Sequence, residues 1–172
     1  MSVGRRAFLA AAGVVVGVVV LRLGVADSVT VASDSMEPTY CAGDRLVVVR
    51  AGAGGSAEAG DVVTFTREVD GEQEEWLKRV VAVQGQTVRV DDAVLVVDGA
   101  PVEEPYVDLA TVDGTFYRTV TVAEGSVFVL GDSREFSVDS RDFGAVARSS
   151  ITGRVVGRVW SACDDPGATG GR

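Results

Sequence analysis

The sequence contains no histidine, and its single lysine stands against fifteen arginines. Without histidine there is no Ser-His-Asp or Cys-His catalysis, no histidine-ligated metal and no histidine proton shuttle. Cysteine is nearly as scarce. Cys41 and Cys163 lie too far apart for a CxxC redox motif or a zinc ribbon. They pair if the domain faces an oxidising compartment, and otherwise remain two thiols. Positive charge is short too: the net charge of -9 argues against a protein held on nucleic acid by phosphate contacts and fits a solvated acidic surface. Aromatic residues make up 6% of the chain although apolar residues make up 47%. The apolar content is largely valine, in short runs broken by Gly, Asp and Pro, which indicates one mainly β domain rather than a helical bundle.

One stretch lacks charge altogether. From Ala7 to Leu21 no side chain is charged or strongly polar, and with Arg22 snorkelling the apolar run reaches Ala26. That is close to the ~20 residues a bilayer-spanning helix needs. A buried core helix would carry a polar face, which this stretch does not. Arg5 and Arg6 precede it, so residues 1–6 are expected in the cytoplasm and everything after residues 7–26 on the far side of the membrane. A cleaved leader is the rival reading, since RRAFL resembles a twin-arginine export motif and Gly24-Val25-Ala26 a cleavage site. Cleavage there would strip the strand leading into the next motif, so a retained anchor is the preferred expectation.

Beyond the anchor, residues 27–163 read as the extracytoplasmic domain and 164–172 as a disordered tail. Strands are predicted at 28–33, 44–50, 61–68, 75–83, 117–122, 126–132 and 150–160, with an acidic turn VDGEQE between the third and fourth. Residues 87–102 read as strand, Asp-Asp turn, strand, Asp98-Gly99 hairpin and return. Residues 85–126 are expected to form a small β insertion. AGAGGSAEAG at 51–60 is glycine-rich but lacks the Gly-Lys-Ser/Thr ending of a phosphate cradle. Beyond the anchor no helix is required, apart from a turn near Ser35.

Ser35 lies in SDSMEPTYCAGD (33–44), a turn-rich segment. A base for this hydroxyl has to be a lysine or a carboxylate. Lys78, in the strand EWLKRVV, qualifies only if burial destabilises its charge, since a model lysine titrates near ~10.4 and burial lowers this by up to ~3–5 units. Arginine cannot give up its proton, which fits the retention of one lysine among arginines; an ordinary surface cation is the alternative. A third polar segment, GDSREFSVDSRDFG (131–144), follows an apolar strand. Arg134 and Phe136 occupy positions where a calcium loop needs oxygen ligands. Ser137 is placed to orient a neutral amine, and Asp139 and Arg141 to pair and hold the loop.

These segments together resemble the bacterial type I signal peptidases, the serine-lysine family that removes signal peptides from exported proteins. The Ser-x-Ser-Met-x-Pro-Thr box is matched by Ser33 to Thr39, and the Gly-Asp-x-Val box by Gly60-Asp61-Val62-Val63. The lysine box is matched by Trp76-Leu77-Lys78-Arg79, with Ala82 where glycine is usual. The last box is matched by Gly131-Asp132-Ser133, Ser137, Asp139-Ser140-Arg141 and Gly144. Asp34 replaces a common glycine and Ser133 an asparagine; DGAPVEEPY and GRVVGRVW agree with the family's connecting patterns. The likeness runs from residue 5 to about 160.

The resemblance implies a mainly β catalytic domain, with antiparallel sheets forming a partly open barrel-like core, a small β insertion and one preceding transmembrane helix. It implies Ser35 as nucleophile, Lys78 as general base, the Ser35 N–H and the Ser33 hydroxyl as oxyanion donors, and Ser137, Asp139 and Arg141 in support. The substrate would add as a strand between Val29, Thr30, Val31 and Ala32 on one side and Glu75, Trp76 and Leu77 on the other. It implies a monomer acting on preprotein signal peptides at a lipid bilayer, with no metal, cofactor or nucleic acid. The rival readings are another serine-lysine protease of this fold, maturing pilus or conjugation proteins, and an inactive relative that only binds exported chains.

Overall fold

Short valine-rich strands joined by turns that accept positive φ can stack only as antiparallel neighbours. The computed structural model describes residues 26–50, 52, 57–107 and 116–163. Its strands are β1 (Ala26–Thr30), β2 (Arg45–Arg50), β3 (Val62–Val69), β4 (Glu72–Val83), β5 (Thr87–Asp91), β6 (Val94–Val97), β7 (Ala100–Pro101), β8 (Tyr117–Thr121), β9 (Ser126–Leu130), β10 (Val146–Ala147) and β11 (Ile151–Trp160). The larger sheet has the order β1-β2-β11-β3-β4-β9-β10 and the smaller β7-β6-β5-β8. Every neighbouring pair is antiparallel. The expected antiparallel β architecture is therefore present. Among the described residues the larger sheet is open, with β1 and β10 at its two ends, where a partly open barrel was expected.

The turns follow from their residues. Asp70 and Gly71 have φ of 52° and 85°, and Asp98 and Gly99 have 51° and 81°, so each Asp-Gly pair makes a two-residue hairpin turn. The turn between β3 and β4 is thus shorter than the predicted VDGEQE. Glu72 and Gln73 are already paired with Val69 and Glu68. The Asp-Gly step alone reverses the chain, and the glutamates continue the strand.

The smaller sheet is inserted in the chain between β4 and β9 and packs on one face of them. Strand β9 shows why its sequence SVFVL lacks polar alternation. Val127 and Val129 enter a core with Val63, Phe65, Val80 and Ile151, while Phe128 and Leu130 enter a second core with Val88, Val90 and Leu95. A strand covered on both faces has no polar face to display.

Among the described residues there are three short helical pieces. A 3-10 turn at Asp34–Met36 agrees with the expected turn near Ser35, and a second lies at Arg148–Ser150. The single-turn helix Ser140–Phe143 was not anticipated. It is closed by a capping box in which Asp139 accepts from the backbone and Asp142 reaches back to the Asp139 N–H.

The expected anchor at 7–26 and the tail at 164–172 fall outside the described residues, except that Ala26 is already in β1, opposite Val49. No helix among the described residues is long and apolar enough to cross a membrane.

Cys41 and Cys163 form a disulfide with a Cα–Cα distance of 5.4 Å. The bridge joins the turn after Ser35 to the end of β11. Buried Asp44 reinforces the junction by accepting from the Cys41 N–H at 3.2 Å, the Ala162 N–H at 2.5 Å and Arg158 Nη1 at 3.0 Å. Denatured protein should therefore show no thiol to an alkylating reagent without reductant and two after reduction, as read by intact mass. Two labelled thiols without reductant would contradict the bridge.

Candidate active site

Ser35 sits in the middle of the Asp34–Met36 turn, anchored by Met36, which is fully buried. The turn continues through a cis Glu37–Pro38 bond, and the Tyr40 N–H closes back on the Met36 carbonyl at 2.8 Å. These contacts leave the Ser35 hydroxyl facing β4.

Side chains alternate along β4, which puts Trp76, Lys78 and Val80 on one face and Leu77 and Arg79 on the other. Lys78 is 3% exposed. Its Nζ donates to Ser35 Oγ at 2.7 Å and to the Leu77 carbonyl at 3.1 Å, and it lies 5.4 Å from the centre of the Trp76 ring. Burial dominates its titration and lowers its pKa from 10.5 to about 8, against the opposing pull of the Asp139 and Asp132 carboxylates. A fraction of the amine is then unprotonated near neutral pH, within hydrogen-bond distance of the Ser35 hydroxyl. Ser33 Oγ donates to Ser35 Oγ at 3.2 Å, so both serines expected at the centre are there.

The loop 131–144 closes the site from the other side. Asp139 and Arg141 pair as expected, through Nε to Oδ1 and Nη2 to Oδ2, both at 2.9 Å. Arg141 also holds the Arg134 and Ser137 carbonyls at 2.7 and 3.2 Å. Ser137 Oγ donates to the Val138 carbonyl at 3.4 Å, and the Lys78 amine donates to Ser35 Oγ and the Leu77 carbonyl. Ser137 is wedged against Gly131, where an added Cβ would lie 2.1 Å from Ser137 Oγ and 2.5 Å from the Ser35 carbonyl oxygen. Only glycine allows that approach. Two residues on, the Ser133 N–H donates to that same Ser35 carbonyl at 3.2 Å.

Several contributors went unassigned at the sequence level. Arg79 grips buried Asp132 through Nε and Nη2 at 2.8 and 2.6 Å, and its guanidinium stacks 3.8 Å from the Tyr106 ring. Arg134 and Glu104 form a second buried pair at 2.5 Å. The Lys-Arg dipeptide and the Gly-Asp step hinted at the first pair. Nothing local pointed from Glu104 to Arg134.

One groove of about 710 Å³ runs past Ser35 and Lys78 and is lined by Val29, Thr30, Val31 and Ala32 on one wall and Glu75, Trp76 and Leu77 on the other. Both walls offer backbone. Strand β1 ends the sheet. Residues 75–77 of β4 pair with β3 on one side, while β9 joins β4 only from Arg79 onward. Two unpaired strand edges flanking a cleft can accept an extended peptide as an added strand. Asp34 is exposed at the groove, and the carboxylates that act on the lysine amine are those of Asp139 and Asp132 instead.

Residues 4–160 match the family described as signal peptidase, peptidase S26. A probable signal peptidase I-1 from Synechocystis sp. is 35% identical over 151 residues, spanning 83% of this chain and 75% of that protein. Signal peptidase IB from Staphylococcus aureus is 32% identical over 148 residues, spanning 76% of each. A crystal structure of a signal peptidase I from Enterococcus faecalis covers 58% of this chain and 96% of its own, at 29% identity and a TM-score of 0.49.

The lysine's burial predicts a measurable cost. Shifting its pKa from 10.5 to about 8 disfavours the folded state by roughly 3 kcal/mol wherever the amine is protonated in both states. Between those two pKa values the unfolded chain binds a proton that the folded chain does not, so stability rises with pH across that window. Lys78→Met should therefore raise the unfolding free energy at pH 7 by about 1–3 kcal/mol, with the gain shrinking toward pH 10.5. Urea unfolding at both ends of the window checks this; a variant less stable than the parent at pH 7 would contradict it.

Proposed function

This chain belongs to the signal peptidase family, peptidase S26, and from that premise we propose that it removes signal peptides from exported preproteins, with Ser35 as nucleophile and Lys78 as general base. The observation that carries the reading is the 2.7 Å contact between Ser35 Oγ and a buried amine whose pKa burial lowers to about 8. Such an amine, when neutral, accepts the serine proton as Oγ attacks the scissile carbonyl. The carbonyl oxygen becomes an oxyanion, met by the Ser35 N–H and by the Ser33 hydroxyl, which lies 3.2 Å from Ser35 Oγ and turns toward the new charge. When the intermediate collapses, the C–N bond breaks and the Lys78 ammonium protonates the leaving amine. Water then attacks the Ser35 ester, giving its proton to Lys78, and the hydroxyl is restored with the signal peptide's new carboxyl end released.

In this reading the residues before the cut lie extended in the groove, paired with the edges at 29–32 and 75–77, and small side chains fit where the walls close on Ser35. Ser137, Asp139 and Arg141 act on the loop's shape. The apolar stretch at 7–26 serves as an anchor that leaves the catalytic domain outside the cytoplasm, beside substrates that are themselves threaded through the bilayer. The enzyme works as a monomer and requires no cofactor.

Incubation with a preprotein in detergent, with the cut mapped by mass spectrometry, should yield one cleavage after a small residue. Ser35→Ala and Lys78→Ala should each lower the rate by about 10³-fold or more while the domain stays folded. Substantial activity in Lys78→Ala would remove the lysine from the mechanism. The parent's rate should rise with pH through about 8 as the lysine loses its proton. A profile flat across that pH would contradict the proposed base.

A further inference from the structure

The segment that leaves β7 passes from the smaller sheet to the loop behind Ser35. Its Glu104 is buried against Arg134, with the two side chains 4% and 2% exposed and Nη2 2.5 Å from Oε1. The Tyr106 hydroxyl donates to the same carboxylate at 2.9 Å, while the Tyr106 ring stacks under Arg79, the neighbour of Lys78. Arg134 also reaches inward, where Nε donates to the Gly131 carbonyl at 3.0 Å. Gly131 is the residue wedged between Ser137 and the Ser35 carbonyl, and its own N–H donates to Asp139 Oδ2 at 3.1 Å. Two residues beyond it, the Ser133 N–H holds the Ser35 carbonyl. A continuous run of hydrogen bonds and chain thus leads from Glu104 to the backbone of Ser35.

We propose that Glu104 and Arg134 are positioning residues for Ser35: the pair ties the segment that follows β7 to the Gly131 carbonyl and so keeps the Ser133 N–H on the Ser35 carbonyl. Stability alone is a poor reason for this pair. Buried ion pairs are often replaced by apolar residues of similar volume with no loss of stability. An apolar pair cannot donate to Gly131, whereas the arginine fork addresses the glutamate and the carbonyl from one planar group. The assignment rests on the reading of Ser35 as the nucleophile.

The test compares the full chain with Arg134→Lys, which keeps the charge but not the fork, and with the apolar double variant Glu104→Leu/Arg134→Met. Three quantities are read: the denaturant midpoint, kcat and KM on a preprotein, and amide exchange at Ser133. Both variants should hold the parent's midpoint yet lose about tenfold or more in kcat with little change in KM, since one orienting hydrogen bond is worth about that factor. Exchange at Ser133 should accelerate about tenfold while the β3–β4 amides keep their rates. If a stable variant keeps kcat within about twofold and Ser133 exchanges as in the parent, the pair is only structural and the proposal is overturned. Arg134→Lys carries the test alone if the double variant does not fold. If the parent itself fails to cut any preprotein, the functional reading fails, and exchange at Ser133 still decides the positioning role.

Discussion

The structure turns on one ammonium group taken out of water. Lys78 is closed in by its own strand, by the Ser35 turn and by the 131–144 loop, and among the described residues the hydroxyl bonded to its amine is that of Ser35. Folding therefore opposes the charged form, and the energy that opposes it brings the amine's pKa down to about 8. Arginine in the same place would stay charged, and an exposed lysine would stay near its ordinary pKa. Much of the rest of the fold serves that enclosure. Strand β4 is buried on both faces around the site, and the Cys41–Cys163 bridge and buried Asp44 fix the far end of the serine turn.

The enclosure faces an opposing demand. The loop that closes it is held by carboxylates, and Asp139 and Asp132 both pull the lysine's pKa upward. Each of these acids is matched by its own arginine in two-point contact, Asp139 by Arg141 and Asp132 by Arg79. Matched pairs present small net charge at a distance, so the acids can shape the loop while burial still decides the lysine's titration. Glu104 and Arg134 repeat the pattern one layer further out. Ion pairs thus stand around the site, and their fields largely cancel at a distance.

Much of this was legible in the sequence because the signals were local. Valine-rich runs marked the strands and the Asp98-Gly99 step one hairpin, while the Asp70-Gly71 turn was read as the longer VDGEQE. The missing histidine and the single lysine pointed to Lys78 before any contact was known. The helix at Ser140–Phe143 had a readable cue in Asp139 and Asp142 spaced as cap and third residue, but it is one turn long and its apolar signal is a single phenylalanine. The close approach of Ser137 to Gly131 is a tertiary fact that neither segment encodes. Likewise, the contact of Glu104 with Arg134 spans 30 residues of chain, and no pattern in either segment encodes the other. That the larger sheet is open among the described residues, where a partly open barrel was expected, reflects which strand edges remain unpaired, which composition does not carry.

Because Lys78 is the chain's single lysine, its titration is open to direct observation. Protein labelled with carbon-13 at the lysine ε position gives one side-chain signal, whose shift against pH reports the titration of Lys78 with no assignment step. The expected midpoint is about 8, moving when Ser35 is replaced by alanine. A midpoint at or above the ordinary 10.5 would mean that the amine stays charged in the folded protein, and Lys78 could not be the base.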